Sequence, residues 1–364
     1  MAVATALVVT LVAASPAATA SANTVPGTLG TAAATDVPDA AGPPAFQVVA
    51  SGLNQPRRVT LGPDGTLLVS EAGLNTVPPG CKDGSQPQCV NPSGAIAEVT
   101  TAGKVRPRGQ WLGTLSSAPA TGGKPTLEAN LGLYEGAHNP DHGVGAKFFQ
   151  EQPIDSDPYA VVNWNAGLAI ADAAGNDVLF YSNGTLSTLA VLPLLPETIP
   201  ANAMGKGEPP HTIVAGAQPV PDSLAVGPNG DLYIGELGGG NDVKVASVYQ
   251  LTPEGQLSLY RTGFTMIGDI AFDHQGRLLV LEMSTGGLLG LSGPGVPPFG
   301  ALIRVNADKS RTVLASSGLL LPGGMTVAPD GTVYLTNLSV LQGHNDPYFA
   351  TYSGEIVRIT ANNP

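Results

Sequence analysis

The chain has 364 residues, enough for two average domains or one large all-β domain. Its 47 glycines and 33 prolines, with only 12% charged and 43% hydrophobic residues, exclude both long helices and a disordered, highly charged chain. A formal charge of −12, from 16 basic and 28 acidic residues, excludes a phosphate-neutralising surface and disfavours anionic membranes, so no nucleic-acid partner is expected.

In chain order, residues 1–22 read as an export signal: an apolar run from Ala6 to Ala14, then Ala20, Ser21 and Ala22 as a small-residue cleavage site before Asn23. No Lys or Arg precedes the run. Residues 23–44 lack apolar periodicity and aromatic residues and read as a flexible Ala/Thr/Pro linker. No later stretch approaches 18 consecutive apolar residues, so no membrane insertion is expected and the mature protein is read as secreted. The two cysteines, Cys81 and Cys89, share one Pro/Gly-rich stretch. In an exported chain they predict a disulfide that clips a local loop, worth at most about 2–3 kcal/mol.

From residue 45 to 364 one pattern returns: an alternating strand, a tight turn with Gly, a second strand, then an acid or amide. The copies are RRVTLGPDGTLLVSE (57–71), DSLAVGPNGDLYIGE (222–236), GDIAFDHQGRLLVLE (268–282) and GMTVAPDGTVYLTN (324–337), with a weaker YAVVNWNAGLAIAD (159–172). Period-two alternation marks half-buried strands, and the glycine of each turn supplies the φ > 0 position of a tight hairpin. A third strand follows each copy: 94–100, 177–182, 247–252, 301–306 and 354–360. A fourth follows all but the last. Four-stranded repeats starting near Val59, Ala160, Leu224, Ile270 and Met325 predict an all-β, six-bladed β-propeller. Five blades are clear; the sixth is degenerate or replaced by an insertion between Leu115 and Pro158. The ownerless strand 46–53 is expected to complete the last blade and close the ring.

In such a blade, the loop leading into the innermost strand and the end of the second strand share one face. That places Glu71, Asp172, Glu236, Glu282 and Asn337 together, with Arg57, Arg58, Asp155, Asp157, Tyr159, Asp222, Ser223 and Asp269 from the leading loops. Carboxylates with an amide suit a hard cation such as Ca²⁺, with Glu71, Glu236 and Glu282 as its foremost ligands. Two of them about 7 Å apart repel by roughly 2–3 kcal/mol at an effective dielectric of 20. The competing role for such an acid is to accept the backbone N–H groups of the next loop, recurring because the blade recurs. The segment 135–143, with His138, Asp141 and His142, reads as a polar surface loop. No G-x-S-x-G, P-loop, dinucleotide or zincin motif is present.

The segments AVGPNGDLYIGEL (225–237), TGFTMIGDIAF (262–272), ADAAGNDVL (171–179) and LYEGAHNPDHG (133–143) resemble the ScyD/ScyE family of exported propeller proteins. The likeness runs from about Phe46 to Ile359. It implies a secreted, roughly six-bladed propeller and assigns no activity. Asp157 and Ala160 stand where that family tends to have Asn and Gly. Together these readings predict a monomeric, non-catalytic protein that binds a small molecule, glycan or protein on the acidic face through Glu71, Asp172, Glu236, Asp269, Glu282 and Asn337. The alternative is a Ca²⁺-dependent lactonase or ester hydrolase resembling gluconolactonase-type propellers, with the strand-end residues as ligand pool and Asp269 as base.

Overall fold

The structure, a computed structural model, describes residues 2–4, 46–53, 56–61, 67–71, 95–99, 105–109, 114–118, 126–143, 156–199, 209–240, 242–287, 299–340 and 354–359. Five sheets of four antiparallel strands follow the repeats. The first blade is Pro56–Leu61, Leu67–Glu71, Ala95–Val99 and Val105–Gly109; the second is Pro158–Trp164, Gly167–Asp172, Asp177–Ser182 and Thr185–Val191. The third is Pro221–Val226, Leu232–Glu236, Ala246–Leu251 and Leu257–Phe264, and the fourth Ile267–Phe272, Leu278–Glu282, Ala301–Val305 and Arg311–Ala315. In the fifth, Met325–Val327, Val333–Asn337 and Gly354–Ile359 are completed by Phe46–Leu53, with Phe46 opposite Ile359 and Leu53 opposite Gly354. The ring closes as the orphan strand predicts. The hairpin glycines Gly230, Gly276 and Gly331 have φ of 83°, 72° and 84°, the region an L side chain resists.

Blade-on-blade packing follows from the period-two alternation. In Leu278–Glu282 every residue is buried, because alternate side chains enter different interfaces. Leu278 and Val280 pack with Val248, Ala246 and Phe264 of the third blade, whereas Leu279 and Leu281 pack with Met325, Leu335 and Val357 of the fifth. Fully burying one such leucine contributes about 1.5–3 kcal/mol. The same logic joins the second blade to the third through Ala169, Ala171, Leu224 and Ile234. It joins the fifth to the first through Leu53, Ile356, Val59 and Val69. Gly324 allows a close backbone approach there: a Cβ would lie 2.6 Å from the Arg57 carbonyl oxygen.

The chain between the first and second blades holds no four-stranded sheet among the described residues. It forms a hairpin, Thr114–Ala118 with Thr126–Asn130, paired along one edge with Ala2–Ala4. The helix Leu131–His138 follows, its Leu131 packed on Ile170 and Leu179 of the second blade. Cleavage after Ala22 would remove Ala2–Ala4 and leave the hairpin. The helix corrects the reading of 135–143 as a loop. The Asn130 side chain accepts the Leu133 amide at its start, and Asn139, at φ 42°, ends it. The surface assignment changes too, since Glu135 and Asp141 are buried. A second element without counterpart in the repeat pattern, the hairpin Leu195–Ile199 with His211–Ala217, lies between the second and third blades. The linker 23–44, the leader apart from Ala2–Ala4, and both Cys81 and Cys89 lie outside the described residues. Among the described residues no helix is long and apolar enough to cross a membrane.

Candidate functional site

Each of the first four inner strands carries a register irregularity at its leading end. The shifts fall between Pro56 and Val59, at the Pro158–Ala160 stretch, between Pro221 and Ser223, and between Ile267 and Asp269. A bulge bends the strand and re-aims the extra residue. Here the extra residues include Arg57, Arg58, Tyr159 and Asp222, and their side chains meet where the leading ends of the inner strands converge.

Arg58 is the hub. Its Nη2 makes an ion pair with Asp269 Oδ1 at 2.8 Å, and its Nη1 donates to the Asp222 carbonyl oxygen at 3.3 Å, joining the first blade to the fourth and third. Asp269 Oδ1 also accepts the Ile270 amide, and Oδ2 accepts the Met325 amide of the fifth blade at 2.7 Å. Thr336 Oγ1 donates to the Arg57 carbonyl oxygen at 3.0 Å. Arg57 is fully buried; burial lowers its proton affinity, while Tyr159 and Asp157 of the second blade raise it. All five blades therefore meet in one polar knot.

Two groups in the knot are out of balance. Asp222 is 0% exposed, and among the described residues its carboxylate oxygens make no hydrogen bond of ordinary geometry, the Ser223 hydroxyl and its own backbone N–H giving only weak donation. Burial pushes the Asp222 carboxyl well above the usual carboxylate range, with Arg58 pulling the other way. Burial also raises Asp269 despite its Arg58 partner, and raises the Tyr159 phenol. Arg58, with 23% of its side chain exposed, is where the knot reaches solvent.

The strand-end residues form no comparable cluster. Glu236 Oε2 accepts the Ser247 amide at 2.9 Å, and burial pushes its carboxyl up to about 8. Glu282 Oε1 accepts the Thr265 amide at 2.8 Å; burial pushes it up to about 7, against that amide, Arg311 and Lys244. Asn337 Oδ1 accepts the Leu320 amide at 2.7 Å, and its Nδ2 donates to the Gly318 carbonyl oxygen. Asp172 Oδ1 accepts the Asp157 and Gly175 amides. Glu71 ends its strand opposite Pro56 and Ala95, its side chain outside the described residues, as is Asp155. Each described member thus braces a backbone turn near its own blade. Among the described residues no three His, Cys, Asp or Glu are grouped so as to hold a metal ion. Of the residues named from sequence, the structure brings together Arg57, Arg58, Asp157, Tyr159, Asp222, Ser223 and Asp269. The buried Asp177, Glu135 and Asp141 form a separate acidic group beside Asp172.

No family model and no curated protein matches the chain. Among solved structures it is similar to a catalytically inactive virginiamycin B lyase from Staphylococcus aureus with quinupristin, at 13% identity and a TM-score of 0.46, over 88% of this chain and 86% of that one. It is similar to the PQQ-bound aldose sugar dehydrogenase of Streptomyces coelicolor at 15% identity and a TM-score of 0.34, over 85% and 96%. A gluconolactonase from Xanthomonas campestris matches at 18% identity and a TM-score of 0.34, over 50% and 55%. These neighbours are propeller enzymes at low identity. Likenesses so distant add nothing to the reading of the site, and the β-propeller rests on the strand order and ring closure above.

Proposed function

We propose that the chain is an exported propeller of the ScyD/ScyE type, acting as a monomeric, non-catalytic binding protein. It takes a polar small molecule or glycan at the Arg58 end of the axis. The observation that carries this reading is the knot itself: a partly exposed guanidinium above buried carboxyl groups, at the meeting point of five blades. Donors and acceptors held so rigidly favour recognition of hydroxyl and carbonyl groups, because little entropy is lost on binding. The strands Leu67–Glu71, Leu278–Glu282 and Val333–Asn337 end on this same face, where Ala95–Val99, Ala301–Val305 and Gly354–Ile359 begin. Loops on a rigid scaffold are where binding residues gather.

The hydrolase alternative asks Asp269 to serve as a base. Both of its oxygens already accept hydrogen bonds, from Arg58, Ile270 and Met325, which weakens that role. It also needs a shared Ca²⁺, for which the described strand-end residues Asp172, Glu236, Glu282 and Asn337, each engaged with its own turn, are a poor fit.

The test is a thermal-shift panel of mono- and oligosaccharides and polar metabolites on wild type and Arg58→Lys, with elemental analysis of the purified protein. A compound at a hundred times its Kd stabilises by about 2.7 kcal/mol, a rise of several degrees in Tm. Loss of that rise in Arg58→Lys supports the site; an equal rise in both variants refutes it. Bound Ca²⁺ with a chelator-sensitive melt favours the hydrolase instead.

A further inference from the structure

Two segments far apart in sequence, LYEGAHNPDHG (133–143) and ADAAGNDVL (171–179), meet where the helix Leu131–His138 and its following turn lie on the second blade. They bring four buried carboxyl groups together: Glu135 from the helix, Asp141 from the turn, and Asp172 and Asp177 from facing strand ends. Asp141 Oδ2 accepts from Asn176 Nδ2 at 2.9 Å, and Asn176 Nδ2 also donates to Gln218 Oε1 at 3.0 Å. Asp141 Oδ1 accepts the Gly143 amide. Asp172 accepts from Ser156 Oγ and from two amides.

Asp177 differs from these. It is 0% exposed, and among the described residues neither of its oxygens has a hydrogen-bond partner. The charges that act on it are those of Asp172, Glu135 and Asp141, all of its own sign. His138 and His142 are exposed, and His138 Nδ1 stands 3.0 Å from the Tyr134 carbonyl oxygen, its ring stacked on Tyr134. The C-terminal end of the helix adds further negative potential. An ionised carboxyl without donors, among three like charges and out of water, is untenable.

We propose that a proton held within this carboxyl cluster latches the helix and its turn onto the second blade, and that losing it in alkaline solution releases them. Burial and the three acids push Asp177 up to about 9, so the proton is present at neutral pH. The closed state holds this proton more tightly than the opened one. Opening therefore becomes easier as pH rises from the ordinary carboxylate range towards about 9, by up to tenfold per pH unit for one proton. Above that the dependence levels off.

The test is hydrogen–deuterium exchange of peptides covering 131–143 in the full chain between pH 6.5 and 10, corrected for intrinsic exchange. In wild type the opening constant is expected to rise about tenfold per unit up to about pH 9 and then flatten; in Asp177→Asn it should be flat throughout. Glu135→Gln, which removes one repelling charge, should move the plateau to lower pH, and it decides the matter if Asp177→Asn does not fold. A flat wild-type profile, a rise retained in Asp177→Asn, or an unmoved plateau in Glu135→Gln overturns the proposal. So does a helix kept closed at pH 9 by millimolar CaCl2 and opened at pH 7 by EDTA, which assigns the cluster to a cation.

Discussion

Replacing Arg58 by methionine removes the guanidinium and keeps much of the apolar stem. It leaves Asp269, 1% exposed in its side chain, without its only ion-pair partner among the described residues. Breaking a buried pair from one side costs about 3–5 kcal/mol. Two features of the site lower that figure. The Ile270 and Met325 amides stay on the carboxylate, and the group can take up a proton instead of remaining charged. Asp269 already sits above the ordinary range through burial, and losing Arg58 raises it further. An acid with raised proton affinity in the folded state keeps its stability at low pH and loses it as pH climbs through the folded value. The penalty is thus expected to be about 3 kcal/mol at pH 8 and roughly 1 kcal/mol at pH 5. Urea unfolding at both pH values, on Arg58→Met, Asp269→Asn and the double variant, measures it. The coupling energy at pH 8 should be about 2 kcal/mol in favour of the wild-type pair. A penalty below about 1 kcal/mol, equal at both pH values and with no coupling, would refute the reasoning.

The other predictions concern the frame. Glu236, pushed up to about 8 by burial, should make wild type lose up to about 1.4 kcal/mol per pH unit between pH 5 and 8. Glu236→Gln should show a shallower profile in denaturant titrations run across that range. Phe264→Ala empties a fully buried site between the third and fourth blades and removes the ring under Arg311, 3.9 Å from its centroid. The expected cost is about 3–5 kcal/mol, read by calorimetry. Gly324→Ala sets a methyl against the Arg57 carbonyl oxygen and the Arg58 Cα, so the fifth and first blades must part. A loss of about 1–3 kcal/mol is expected, and an unchanged Tm would show that the contact is soft.

The ring was readable because its signals are local: alternation within strands, glycine at the turns, one strand left over at the start and one missing from the last repeat. The polar knot was partly readable, since the residues leading into each inner strand were named. What no period reveals is the bulge at Pro221–Ser223 or Pro56–Val59, which turns Asp222 and Arg58 into the knot. Asp172, Glu236 and Glu282 each bind amides near their own blade, and a recurring backbone need leaves the same mark in a sequence as a shared ligand. The helix Leu131–His138 was hidden by two glycines and a following Asn-Pro. Its cap is a single Asn130 side chain, and only Leu131 and Glu135 are buried. Asp177 opens a third strand whose neighbours are apolar, so nothing along the chain distinguishes it from a turn-forming aspartate.

The pairing of Phe46–Leu53 with Gly354–Ile359 also dictates when the molecule can finish folding. The strand Phe46–Leu53 is made first and has no partner until Gly354–Ile359 has been made, so the fifth blade is completed only after the other four. The same pairing brings the two ends of the propeller side by side, so a circular permutant joined there and cut in the turn between Thr252 and Gln256 should assemble the same wheel.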